Sequence, residues 1–298
     1  MFFLSTRSIP VGGGLGPLSI LDETNTLRTP ADLTTAIRGR DVLFVTHGFN
    51  VDQTGGLQSL SNWARLLNIG SVVIIGILWP GDARWIHVVD YPVEGNEAIA
   101  SGNALAAFLN TNFTGALSLS FASHSLGARV VLQTISRLNR GVRRLFLMAG
   151  AIDNTCLTSE YAAAAQKVQT ISVLASRSDD VLKWAFPAGN FVSGLFSRGE
   201  PYIHEAIGRE GPADPWPSPN NIHVDWQIPD SWNYGHGSYL PAHLAGNPPV
   251  QYPPLPAFPS SEMPKPPQQP CYAPPALAND EALWQPAFSA AIQTFRWP

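Results

Sequence analysis

Lysine is almost missing from this 298-residue chain, where it supplies three of the eighteen cationic residues. Charged residues of both signs make up only 13%, about half the ~25% of an ordinary globular chain. The formal net charge is −4. A surface that neutralises many phosphates needs a surplus of cations, so nucleic acid is not an expected partner. Cysteine is equally scarce. Cys156 and Cys271 cannot build a disulfide framework or a structural zinc site; they read as two unpaired thiols, or at most one bridge pinning the tail to the body. No His, Cys, Asp and Glu cluster has metal-ligand spacing, and no cofactor is implied. Long apolar runs are absent too, since none approaches the ~20 residues of a membrane span. The start, Met-Phe-Phe-Leu, reaches Arg7 within seven residues, which is neither the charged n-region nor the full apolar h-region of a signal peptide. No internal repeat of fixed period is present.

What the chain does have is 45% hydrophobic residues, enough for a sizeable core. They gather in short continuous runs: Asp41–Thr46, Ser71–Leu78, Ala116–Ala122, Arg144–Ala149 and Thr170–Ala175. Runs of five to eight apolar residues without alternation read as strands buried on both faces of a parallel sheet. Between them lie helical stripes. Leu57, Leu60, Ala64 and Leu67 form one; Ala98, Leu105 and Leu109 form a looser one. Leu126, Val130 and Leu138 form a third, in a stretch ending at Gly141 as a C′ glycine. Strands alternating with helices imply a doubly wound α/β sheet with right-handed crossovers and helices on both faces.

Two regions depart from that pattern. Trp184 to Tyr239 holds four of the nine tryptophans among many glycines and prolines. It reads as loop-rich, with 184–222 as a cap or loop region that supplies an apolar substrate wall. Pro248 to Pro275 carries twelve prolines in 28 residues and cannot propagate helix or central strand. Residues 247–298 are expected to be a proline-rich extension, ending in a short helix around Asp280–Thr294 and packed on a domain of residues 1–246. A ligand for a proline-reading partner is the alternative for that tail. Gly12-Gly13-Gly14-Leu15-Gly16 lacks the lysine of a phosphate loop and reads as a flexible loop. Arg137, Arg140, Arg143 and Arg144 read as a solvated helix end.

The chemistry is carried first by Phe121-Ala122-Ser123-His124-Ser125-Leu126-Gly127. An apolar strand runs through S-H-S-L-G directly into a helix. A nucleophile elbow needs that context: a sharp strand-to-helix turn lifts one serine hydroxyl above the sheet edge, with small residues two before and two after it. Ser125 would also stand at the positive end of the following helix. A [GS]-x-S-x-G match arises by chance in roughly one chain in five of this length, so its placement between strand and helix carries the argument.

A second element is His47-Gly48-Phe49-Asn50, a turn at the end of an earlier strand. Acyl transfer needs two backbone N–H groups aimed at the tetrahedral oxyanion. Leu126 N–H, after the nucleophile, and Phe49 N–H, where Gly48 permits close approach, are the candidates. His47 and His124 read as structural histidines that shape their turns. A triad then needs an acid and a histidine in that order. After the strand Thr170–Ala175, Asp179 or Asp180 could orient a histidine. Asp179 is favoured because the spacing leaves Val181 and Leu182 to pack on the core; Asp153 is a more distant alternative. Asn221–Ile228 reads as a last strand holding a packed His223. His236, in the Gly-His-Gly loop beyond it, can carry an imidazole over the sheet edge as general base, with His243 and His204 as alternatives.

The elbow, the HG turn and the Ser-Asp-His order resemble the α/β-hydrolase superfamily of serine esterases and lipases. More narrowly the chain is similar to a bacterial α/β-hydrolase family of unknown function. That similarity rests on Phe2-Phe3-Leu4-Ser5-Thr6-Arg7, VTHGFNV, Ile77-Leu78-Trp79-Pro80 followed by Tyr91, SHSLGARVVL, LMAGAID, SRSDDVL and the GHGSY loop, from about residue 2 to 245. Ser123 departs from the usual glycine or alanine. The resemblance implies an α/β-hydrolase fold and cofactor-independent cleavage of a small-molecule or lipid-like ester through Ser125, His236 and Asp179. Trp184, Phe186, Phe191, Phe196 and Trp232 are candidates for an apolar acyl or aryl pocket. The rival expectations are a non-catalytic binding module of the same fold, and the same triad used for acyl transfer, thioester or amide cleavage.

Overall fold

The computed structural model of the protein describes residues 1–8, 14–67, 72–82, 91–183, 205–213, 222–228, 230 and 234–239. Among them nine strands form one sheet in the order β3-β2-β1-β5-β4-β6-β7-β8-β9. The strands are β1 Phe2–Arg7, β2 Leu15–Asp22, β3 Leu27–Arg28, β4 Asp41–Thr46, β5 Val72–Leu78, β6 Ser118–His124, β7 Val142–Met148, β8 Val168–Ser176 and β9 Ile222–Ile228. From β1 across to β9 every pairing is parallel. Only β1 with β2 and β2 with β3 run antiparallel. The mostly parallel sheet is the α/β-hydrolase arrangement that the sequence suggested, extended by an antiparallel edge that it did not.

The central strands are mostly apolar because both faces are covered. In β4, Val42, Leu43, Phe44 and Val45 are all fully buried, and Phe44 stacks on Phe121 of β6 with ring centroids 4.9 Å apart. Burying a Phe or Leu side chain contributes about 1.5–3 kcal/mol, so these runs select the middle of the sheet. Among the described residues the longer helices that cover it are α1 Pro30–Ile37, α2 Gln53–Leu67, α3 Tyr91–Asn112 and α4 Gly127–Arg137. The stripes place Leu57 and Leu60 of α2 and Ala98, Leu105 and Leu109 of α3 in the core. α1 is fixed at its start by a Thr29–Asp32 capping box with Pro30 in the first turn, a device worth ~1 kcal/mol. Among the described residues no helix is long and apolar enough to cross a membrane.

Several expectations are corrected. α4 ends at Arg137, where Leu138 turns extended at φ −68° and ψ 145°; Gly141 is therefore not its C′ residue, and the chain enters β7 at Val142. Leu15 and Gly16 open β2 rather than lying in a loop. A Cβ on Gly16 would come within 2.5 Å of the Ser8 Cα, so glycine is required where β2 crosses the irregularity in β1. Of the four arginines, Arg137 is exposed in the last turn of α4, as a solvated helix end requires, but the others are not simply solvated. Arg144 is buried within β7, and Arg140 donates to the carbonyls of Phe113, Ala116 and Leu117. The proline-rich extension and the helix expected at 280–294 lie outside the described residues, as does Cys271. Cys156 is a buried free thiol whose titration burial pushes well above the ordinary range.

Candidate active site

β6 and α4 meet at Ser125, whose φ is +55°. A side chain in that left-handed region costs roughly 1–2 kcal/mol, and three backbone hydrogen bonds hold it there. The Ser125 N–H donates to Met148 O at 3.0 Å, and its carbonyl accepts from Ala128 at 3.0 Å and Ala151 at 3.1 Å. Space is just as tightly set. A Cβ on Gly127 would lie 2.5 Å from His47 O, and one on Gly48 would lie 2.6 Å from Ser125 Cβ. Both glycines let the end of β4 press directly on the corner. Ser123, in place of the customary glycine, is fully buried and donates its hydroxyl to Phe146 O at 3.3 Å. Its one extra polar group therefore has an acceptor.

Three side chains distant in sequence converge over this corner. Ser125 Oγ donates to His236 Nε2 at 2.9 Å, across 111 positions. His236 Nδ1–H donates to Asp179 Oδ2 at 2.7 Å. Asp179 follows β8 and is fully buried; its other oxygen, Oδ1, accepts from the Leu182 N–H at 2.9 Å. His236 opens a 3-10 turn, His236–Ser238, and its side chain remains 16% exposed. Ser176 Oγ pins the approach to that turn by donating to Tyr234 O at 2.6 Å. Of the alternatives for the acid, Asp180 points to solvent. Asp153 Oδ1 is engaged by the Thr155 N–H and hydroxyl. Leu182 packs in the core as expected, but Val181 does not, being 49% exposed.

The loop after β4 brings Phe49 beside the corner. Neither the Phe49 nor the Leu126 N–H is spent on a protein acceptor among the described residues. His47 is buried and shapes this turn: its Nδ1–H donates to Gly48 O at 2.8 Å, and Nε2 accepts from the Trp79 N–H at 3.4 Å. Its ring stacks against the Trp79 indole at 5.8 Å.

His124 does more than fill space. Its Nε2–H donates to the His236 carbonyl at 2.9 Å, its ring centre lies 4.9 Å from that of His236, and Tyr239 packs on it at 5.9 Å. Burial, then the neighbouring His236, push its pKa down to about 3. An unfolded histidine titrates near 6.5. Between those values the unfolded chain binds one more proton than the folded one, so stability rises with pH across that window and is lost on acidification. Unfolding free energies measured from pH 7 down to 4.5 should fall more steeply for the natural protein than for His124→Gln, by up to about 1.4 kcal/mol per pH unit. Parallel curves would refute this assignment; carboxylates act equally in both proteins and cancel.

Trp184, Phe186, Phe191, Phe196 and Trp232, together with His204 and His243, lie outside the described residues. His223 is on β9. Of the region 184–222, the described stretch 205–213 packs against the loop after β7, where Ile207 N–H donates to Ile152 O at 2.8 Å and Gly208 N–H to Gly150 O at 3.0 Å. Among the described residues no group of three or more His, Cys, Asp or Glu side chains could hold a metal ion. The Trp79 contacts to His47 had no local signal in sequence, although Trp79 belongs to a segment that carried the family resemblance.

A family model described as alpha/beta hydrolase of unknown function (DUF900) matches residues 26–198. No curated protein matches the chain. Similar solved structures include acetyl xylan esterase 1 from Thermoanaerobacterium sp. JW/SL YS485, at 11% identity over 82% of this chain and 84% of that one, with a TM-score of 0.37. The ydeN gene product from B. subtilis is 15% identical over 66% and 87% of the two chains, with a TM-score of 0.36. Esterase B from Lactobacillus rhamnosis is 12% identical over 67% and 68%, with a TM-score of 0.35.

Proposed function

This chain belongs to the alpha/beta-hydrolase family of unknown function DUF900, and we propose that it hydrolyses carboxylic esters through an acyl-enzyme on Ser125. The observation that carries this reading is the relay from Ser125 Oγ through His236 to a fully buried Asp179, at 2.9 and 2.7 Å, on a corner at φ +55°. A strained, tightly bonded serine serves no packing purpose, whereas a nucleophile must be lifted clear of the sheet.

In the first half-reaction His236 Nε2 takes the Ser125 proton as Oγ attacks the ester carbonyl. The Phe49 and Leu126 N–H groups receive the developing oxyanion, helped by the positive end of α4. The imidazolium, held by Asp179, then returns its proton to the departing alcohol. Water repeats the sequence on the acyl-enzyme, releasing the acid and restoring Ser125. All groups needed belong to the chain.

A fluorophosphonate probe tests the reading, because only an activated serine reacts with it. Stoichiometric labelling that maps to Ser125 by mass spectrometry is the expected result. An unlabelled protein that hydrolyses none of the p-nitrophenyl acetate-to-palmitate series would instead be a binding module of the same fold. That series also reports acyl-chain preference, and competing alcohols separate hydrolysis from acyl transfer.

A further inference from the structure

We propose that Arg7, at the end of β1, is a positioning residue that fixes the Phe49 loop against Ser125. The inference rests on the esterase reading above, in which the Phe49 N–H binds the oxyanion, and goes beyond it by naming what holds that donor in place.

Arg7 lies two strands away from β4, with β5 between them, and its side chain is fully buried. Its guanidinium forks. Nη1 donates to Asp82 Oδ1 and Nη2 donates to the Val51 carbonyl, two residues beyond Phe49. The same two segments are joined again by an antiparallel bridge between Val51 and Gly81 and by the Asn50 N–H donating to Gly81 O. Asn50 itself is held at φ +58°. Upstream of Phe49, the Trp79 indole N–H donates to His47 O at 3.0 Å. Phe49 therefore sits between two anchored points, both tied to residues 79–82, and Arg7 clamps the downstream one from a third segment of chain.

A planar fork suits this task and a lysine does not, because one ammonium on a flexible stem cannot hold the carboxylate and the carbonyl in fixed relation. Small displacements matter here: a donor removed from an oxyanion site costs ~10²–10³ in rate, and a misplacement near 1 Å can cost ~10². Deleting the cation outright would remove the ion pair between Arg7 and Asp82. Asp82 would then face Glu97 without that positive charge, and burial already raises the Glu97 carboxyl above its usual range. The informative change is therefore Arg7→Lys, which keeps the charge and removes the fork.

The experiment compares wild-type, Arg7→Lys and Ser125→Ala proteins on p-nitrophenyl butyrate, with sites counted by fluorophosphonate titration. Arg7→Lys is expected to lower kcat per titrated site by fivefold or more with KM changed less than threefold. Its affinity for an alkyl boronic acid, which forms a tetrahedral adduct on the serine, should fall by the same factor. A purely structural role would lower the number of titratable sites and leave the rate per site unchanged. A per-site kcat reduced by less than fivefold, or an unchanged boronate affinity, overturns the inference. Should Arg7→Lys not fold, Asp82→Asn retains an acceptor while weakening the clamp, and a wild-type rate per site in that variant overturns it equally. Turnover surviving Ser125→Ala would remove the esterase reading and this inference with it; a dead Ser125→Ala beside a wild-type-like Arg7→Lys removes only the clamp.

Discussion

Ser125→Ala is expected to reduce ester turnover by about 10⁴–10⁶, the loss seen when the nucleophile of a covalent mechanism is deleted. The hydroxyl is the group that forms the acyl-enzyme, so no neighbour can substitute for it: His236 Nε2 would face a methyl group and have no proton to take. The fold should persist, because the elbow is held through backbone bonds from Ser125 to Met148, Ala128 and Ala151, which alanine can also make. Alanine retains the positive φ at a cost similar to that of serine. Circular dichroism and the thermal midpoint should therefore match the natural protein to within a few degrees, while p-nitrophenyl ester hydrolysis falls to background. Activity near the natural rate in this variant would dispose of Ser125 as the nucleophile.

The second large effect is predicted for Asp179→Asn, about 10⁴ in kcat, and its direction follows from one hydrogen bond. Asp179 Oδ1 accepts from the Leu182 N–H. An asparagine would keep its carbonyl oxygen on that donor and so turn its amide NH₂ toward His236 Nδ1. The imidazole would then have to accept at Nδ1 and carry its proton on Nε2, which faces Ser125 Oγ. In that tautomer the ring cannot take the serine proton. Shape and hydrogen-bond number are nearly unchanged, so the variant separates proton placement from packing. The measurement is single-turnover acylation; a loss of less than tenfold would mean that the carboxylate does not set the tautomer. Asp180→Asn, altering an exposed neighbour, is the matched control and should retain most of its activity.

How far the sequence revealed these features depended on whether their signals were local. β4 is reproduced to the residue, and β5 through β8 to within two residues at each end, because strands buried on both faces are written as largely apolar runs. β1 was not read as a strand because Ser5, Thr6 and Arg7 make half of it polar. Each of these is buried and occupied: Thr6 Oγ1, for one, donates to Ser101 Oγ at 3.0 Å. Similarly, the opening of β2 was obscured by glycines and Pro17, residues that an edge tolerates and a central strand does not. The elbow was legible because small residues, strand and helix adjoin one another. Asp179 and His236 could be proposed because each follows its own strand in chain order. The clamp around Phe49 could not, since Arg7, Val51 and Asp82 are joined only by tertiary folding, and nothing near any of them announces its partners.

The corner at Ser125 has a consequence for the order in which this molecule acquires its chemistry. Its carbonyl is bonded by Ala151, its N–H by the end of β7, and its hydroxyl by a ring that is synthesised 111 positions later. On the reading proposed above, a ribosome-bound chain would stay inert toward esters until residues beyond 236 had emerged and docked. Reactivity in this protein is thus a late acquisition, delivered by the closing of the sheet's far side and not by the appearance of the serine.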